Sequence, residues 1–340
     1  MVRAAHARLI GPSIARATIA STSGGALAFA ALHDDTDLSA ARFGRTFWHA
    51  SVVGYDYKYG AATKLPAGSA ERKAALAETH QRSAERLLHV CRRHGGLYTK
   101  LGQFVASLNH ILPPQYPEVL AACQDRAPAV SFDKVRPLIE SELGCRVEEA
   151  FAHFDPTPIA AASLAQVHLA RTADEGLTVA VKVQYPALAR QVAADLRTVR
   201  VLVALLGYAF EGHSYDWLLP EFEGSIRAEL DFRLEAANAA RTAAFFAYEP
   251  RLHVPVVLSR LSGARVLTME YIEGVKVTDA AGLKRLGLKP HRLAPLISDV
   301  FSAMIFGHGR RARADRPLIG LRLPSECILI ALRSPLMPSD

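Results

Sequence analysis

The sequence predicts an α+β fold, and three observations carry that reading. Apolar residues recur with helical spacing before Pro158, and beyond it the period shortens to two. The strand-like runs then come as two pairs separated by long helical segments. This order lacks the regular strand–helix alternation of a parallel doubly wound sheet.

Taken in order, residues 1–33 hold Arg3, Arg8 and Arg16 with Ser and Thr and no acid. That is the composition of an organelle-targeting segment, read as mitochondrial first and plastid second. Gly24 to Leu32 falls short of the roughly 20 apolar residues a bilayer span needs. Extended back to Leu9 it nearly reaches that length, so residues 9–32 also read as a membrane anchor, with Arg16 weighing against it. Residues 71–94 read as a helix broken by Gly95-Gly96. Leu97 to Ile111 reads as a second helix, stopped by Pro113-Pro114. Ser131 is placed to cap a segment that ends at Gly144, with Pro137 as a kink inside it.

Ala165–Arg171 and Leu177–Gln184 read as strands about the turn Asp174-Glu175-Gly176. On the second, Val179, Val181 and Val183 share one face, and Ala180 and Lys182 the other. Pro186 opens a long apolar helix to about Phe210, and one continuous helix is expected from Trp217 to about Tyr248. Val254–Leu258 and Arg265–Tyr271 read as further strands, and residues 290–307 as a last apolar helix.

The formal charge of +7 excludes less than it suggests, because a net charge of +3 falls in residues 1–33 and another net +3 in 309–340. The near-neutral body argues against a nucleic-acid-binding face. Cys91, Cys123, Cys145 and Cys327 lie far apart, without metal spacing, and read as isolated thiols in a reducing compartment.

The chemistry concentrates around Lys182. An ammonium flanked by Val181 and Val183 needs an acid, solvent or a bound anion, because burying it unpaired costs several kcal/mol or more. Ala180 beside it leaves room for a flat ligand. Upstream, Ala160-Ala161-Ala162-Ser163 forms a small-residue turn that lets backbone approach a phosphate. Acid partners are offered by Glu229 and Asp231, with Glu235 and Asn238 beyond. On a continuous helix residues two apart diverge by about 200°, so Glu229 and Asp231 would not face one site. Lys100 and Gln103, three apart around Gly102, share a helical face.

Gly95–Gln103 resembles the Lys-x-Gly-Gln motif of the UbiB (aarF-domain) family of atypical kinase-like proteins. Ala160–His168 is similar to that family's alanine-rich nucleotide loop, Val179–Val183 to its strand lysine, Glu229-Leu230-Asp231 to its Glu-x-Asp motif, and Leu267–Gly274 to its hinge. The five occur in family order. The resemblance covers about residues 37–308 and is strongest to the mitochondrial members linked to inner-membrane lipid homeostasis. It implies a protein-kinase-like fold with an N-terminal helical extension over 34–155, an N-lobe over 156–275 and the start of a C-lobe over 276–308.

It further implies that Lys182 contacts ATP phosphates and pairs with the acidic motif through Glu229, with Asp231 beside it. Ala160, Ala161, Ala162 and Ser163 would cradle the nucleotide, and Ala180 would touch adenine. Backbone groups from Glu270 to Ile272 would hold the adenine edge. Lys100, Gly102 and Gln103 would lie in an extension that folds over the site. Beyond Gly309 the resemblance stops. Residues 309–340 lack the family's His-x-Asp-Pro-His-Pro-Gly-Asn loop and its Asp-Phe-Gly, so most of the C-lobe and the Mg²⁺ ligands are missing and the apolar face of 290–307 should be exposed. The expected activity is that of an ATP-binding atypical kinase or ATPase serving mitochondrial lipid or quinone homeostasis, inactive in this form. The alternative is a nucleotide-binding pseudokinase scaffold at an organelle membrane.

Overall fold

The computed structural model describes residues 39–124, 129–210, 217–275, 277, 279–306 and 331–332. The expectations for residues 1–33 and for nearly all of 309–340 lie outside the described residues. In chain order the helices are α1 (Ser39–Tyr59), α2 (Ala70–His94), α3 (Gly96–Ala106), α4 (Gln115–Leu120), α5 (Phe132–Leu143), α6 (Val147–Ala150), α7 (Leu188–Ala209), α8 (Leu218–Glu229), α9 (Phe232–Phe245), α10 (Ala280–Arg285) and α11 (Pro290–Phe306). The strands are β1 (Phe151–Phe154), β2 (Ala160–Ala161), β3 (Ala165–Thr172), β4 (Thr178–Gln184), β5 (Leu252–His253), β6 (Val266–Glu270) and β7 (Ala331–Leu332).

The chain divides into two compact, discontinuous units, residues 1–128 with 185–227 and residues 129–184 with 228–340. The first is helical. Ser69 accepts a hydrogen bond from the Arg72 amide to start α2, and Gly95, at positive φ, ends it. The second expected helix stops at Ala106 rather than Ile111, because the Ser107 and Leu108 amides turn back onto the carbonyls of Gln103, Phe104 and Val105. Val90, Cys91, Tyr98, Leu120 and Cys123 form one core of this unit.

A charged pair lies inside the same unit. Arg42 of α1 grips Asp195 of α7 through Nε (3.0 Å) and Nη2 (2.5 Å), and its Nη1 donates to the His94 carbonyl at 3.0 Å. Its guanidinium also lies 5.5 Å from the Tyr98 ring centre. Burial, with Arg42, Arg45 and Arg93 nearby, pushes the His94 imidazole down to about 3. Unfolded histidine titrates near 6.5 (about the model-peptide value). The folded chain therefore binds fewer protons below that pH. The stability contributed by neutral His94 is complete above about 6.5 and is lost as the pH falls towards its folded value. Near pH 5 the expected loss from this group is about 2 kcal/mol. His49, His80 and His168 shift in the same direction, each chiefly through burial. Urea midpoints at neutral pH and near pH 5 check this, with a smaller acid loss expected in His94→Gln.

The second unit is built on an antiparallel sheet of order β1-β3-β4-β6, with β2 pairing the far side of β3's first residues. Val179, Val181 and Val183 meet Val135, Ile139, Val147 and Val266 in its main core. Ser131 precedes α5 without a side-chain cap, and Gly144 ends it in the left-handed conformation with Pro137 accommodated inside. The strand expected over Val254–Leu258 is reduced to a single bridge from Val257 to Met269. The apolar face of α11 is covered in part, contrary to expectation. Leu296, Val300 and Met304 pack with Phe246, while Phe301 and Phe306 remain exposed.

Candidate functional site

Lys182 sits at the centre of a sheet buried on both sides. Residues directly opposite in antiparallel strands share a face, so Val167 and Leu169 of β3 and Leu267 and Met269 of β6 surround Lys182 and Ala180. The face is an apolar floor with one cation. Phe232 supplies a ring whose centre is 4.7 Å from the Lys182 Nζ. Glu235 accepts from that nitrogen through both carboxylate oxygens, at 3.0 and 2.9 Å. The two side chains are 9% and 14% exposed, so each charge depends on the other.

The carboxylate on Lys182 is thus Glu235, where the sequence pointed to Glu229. The reason is a break in the expected long helix. Glu229 ends α8, Leu230 follows, and Asp231 adopts an extended conformation as the N-cap of α9, accepting from the Arg233 amide at 3.1 Å. The break is held from the sheet side. The Leu230 carbonyl accepts from Gln184 Nε2 at 2.8 Å, and the Phe232 amide donates to the Ala264 carbonyl at 2.9 Å. Asp231 also pairs with Arg233 at 2.8 Å, which holds its carboxyl below the usual range, the Arg233 side chain being the largest cause. The Glu-x-Asp segment is a helix junction, and the first turn of the new helix delivers Phe232 and Glu235 together.

The alanine-rich segment forms a tight hairpin. Ala160 and Ala161 pair with Val167 and Gln166, and the Ala162 amide donates to the Ala165 carbonyl at 2.8 Å. Ala160 is exposed, Ala161 and Ala162 are half-buried, and Ser163 is buried. The Ser163 hydroxyl has no hydrogen-bond partner among the described residues. Such a buried group is destabilising by about 1–3 kcal/mol until an acceptor or donor reaches it. On the opposite face, Gln166 exchanges hydrogen bonds with both backbone groups of Val130 and contacts His168, whose Nδ1 meets the Asp155 carbonyl at 2.8 Å. That ladder braces the hairpin against α5 and was not foreseen from sequence.

At the end of β6 the Glu270 amide donates to the Val256 carbonyl at 2.8 Å, and the Tyr271 amide to the Thr178 carbonyl at 3.2 Å. The Glu270 carboxylate lies 2.7 Å from His253 Nε2. Of the amides expected at an adenine edge, those of Glu270 and Tyr271 are therefore already engaged. Ile272 N–H forms no backbone hydrogen bond among the described residues.

In the helical unit, Lys100 and Gln103 lie half-buried on α3, with Gly102 buried between them. Gln103 Nε2 donates to the Cys123 carbonyl at 3.0 Å. A Cβ on Gly102 would meet Cys123 Sγ at 2.5 Å and Cys91 Sγ at 3.2 Å, so the close approach that requires glycine is that of two cysteines. Neither thiol is isolated. Among the described residues no group of three or more His, Cys, Asp or Glu side chains could hold a metal, and no helix is long and apolar enough to cross a membrane.

An antiparallel sheet carrying a lysine–glutamate pair, with a small-residue hairpin before it and an extended segment after it, defines a kinase-like lobe as the class. The family model for the ABC1 atypical kinase-like domain matches residues 122–316. The chain is 38% identical over 266 residues to an ABC1 protein of Arabidopsis thaliana, covering 76% of this chain and 49% of that one. It is 36% identical over 276 residues to the mouse AarF domain-containing protein kinase 1, covering 81% and 52%. A solved Mycobacterium tuberculosis protein in complex with erythromycin aligns over 71% of this chain and 60% of its own, at 32% identity and TM-score 0.45. The chain belongs to the ABC1 atypical kinase-like family, and it spans about half the length of the curated relatives it matches.

Proposed function

We propose that the strand-rich unit binds ATP, and that the chain is a UbiB-type atypical kinase- or ATPase-like protein of mitochondrial lipid or quinone homeostasis. The observation that carries the reading is the Lys182–Glu235 pair on an apolar sheet face, flanked by small Ala180. This donor set fits a nucleotide. Lys182, released from or shared with Glu235, supplies positive charge for the phosphates. The unpartnered Ser163 hydroxyl offers a donor at the hairpin, and the Ile272 amide one at the adenine edge. Leu169 and Met269 beside Ala180 provide the apolar walls.

The residues do not fit Mg²⁺ in the same way. Residues 309–340 contain no Asn and no Asp-Phe-Gly, the residues that the family resemblance assigns to Mg²⁺. A second reading is nucleotide binding without turnover, as a pseudokinase scaffold with membrane lipid as a partner. Thermal unfolding with increasing ATP, paired with release of phosphate from ATP, tests both. ATP at 100 times its dissociation constant should add about 2.7 kcal/mol. Stabilisation with hydrolysis supports the ATPase reading, and stabilisation alone supports the scaffold. No shift with ATP at any concentration contradicts both.

A further inference from the structure

The Lys-x-Gly-Gln helix rests on a pair of thiols. Cys91 lies in the last turn of α2, and Cys123 in the short 3₁₀ turn Ala121–Gln124. Both are buried, at 0% and 4% exposure, and neither is in a disulfide. Their sulfurs flank the same point, the missing Cβ of Gly102. They also hydrogen-bond each other, and that bond, with burial, holds the Cys91 thiol protonated far above the ordinary range.

Each cysteine also carries part of the motif through its backbone. Gln103 Nε2 bonds the Cys123 carbonyl at 3.0 Å. The Cys91 carbonyl accepts from the Gly95 amide at 2.9 Å and from Thr99 Oγ1 at 3.5 Å. Glycine at 102 leaves the space in which two sulfurs can close to bonding distance, about 2.05 Å. Cys145 lies in the other compact unit.

We propose that Cys91 and Cys123 are a redox modification site, in which a small disulfide oxidant of the glutathione type converts them into an intramolecular disulfide that clamps the Lys-x-Gly-Gln helix. The step balances as thiol–disulfide exchange. One cysteine loses its proton and attacks the oxidant, releasing one glutathione thiol. The second cysteine then displaces the other glutathione. The protein gives up two electrons and two protons, and two glutathione thiols carry them away. Because both thiols are buried, the first attack waits for the short 3₁₀ turn to lift, so closure is slow. Once formed, the bond ties α2 and the 3₁₀ turn across α3, and the supports of Thr99, Gly102 and Gln103 move as one.

The test uses the full chain, equilibrated with mixtures of oxidised and reduced glutathione, quenched with acid and alkylated after denaturation. The expected product is about 2 Da lighter than the reduced chain before alkylation. Peptide mapping should find Cys91 joined to Cys123, with Cys145 and Cys327 alkylated, and dithiothreitol should reverse the change. Hydrogen exchange of the amides in residues 96–106 should slow in the oxidised form, and Cys123→Ser should not yield the lighter product. The proposal is overturned if Cys91 and Cys123 are both still alkylated after equilibration at the most oxidising glutathione ratio. A glutathione adduct on either cysteine without ring closure, or unchanged exchange in α3 after closure, also overturns it. None of these readouts depends on nucleotide binding.

Discussion

Lys182→Met is expected to destabilise the strand-rich unit by about 3 kcal/mol and to abolish its stabilisation by ATP. Methionine keeps most of the length and apolar volume of the lysine stem. What it removes is the cation between the two Glu235 oxygens and above the Phe232 ring. The carboxylate left behind is only 14% exposed, and a buried charge without its partner is the costly state. The double variant Lys182→Met with Glu235→Leu removes both charges and should recover most of the stability while remaining blind to ATP. Denaturant unfolding with and without nucleotide checks all three chains. The pairing also ranks the acids, since Glu235→Gln should weaken the ATP response more than Glu229→Gln. Equal effects would return the role to the residue the sequence favoured.

Arg42→Leu should destabilise the helical unit by about 3–5 kcal/mol, the loss typical of a broken buried pair. Asp195 would keep a carboxylate inside the unit without the guanidinium that grips it, and the His94 carbonyl would lose its donor. Burial already holds the Asp195 carboxyl above the usual range despite Arg42, so desolvation outweighs the attraction of the pair. It follows that Arg42→Leu with Asp195→Leu should regain much of the loss. A double-mutant cycle by urea unfolding measures the coupling, and a double variant as unstable as Arg42→Leu alone would contradict the argument.

The parts of this fold that the sequence made legible are those with strong local signals. Alternation in Thr178–Gln184 and the turn at Asp174–Gly176 placed β3 and β4, and Gly95-Gly96 divided α2 from α3. Lys182 stood out because a lysine among valines demands a partner. Its partner was obscured for a nonlocal reason. The break at Asp231 is imposed by Gln184 and Ala264, residues far away in the chain, and no helical wheel drawn through 217–248 contains them. One signal was available: an Asp two residues before Arg233, at the head of an alanine-rich run, is an N-cap pattern. The thiol pair was hidden in the same way, since Cys91 and Cys123 meet only when α3 folds between them. Val254–Leu258 looked like a strand by composition, but Pro255 removes a ladder donor and leaves one bridge.

The central claim is that Lys182 faces the phosphates of a bound nucleotide. Labelling with an acyl-phosphate derivative of ATP, which transfers its acyl group to a lysine beside the terminal phosphates, tests it most directly. Peptide mapping should find the label on Lys182, suppressed by excess ATP and unaffected by inorganic phosphate. Absence of label on Lys182, or labelling there that ATP does not suppress, would contradict the account.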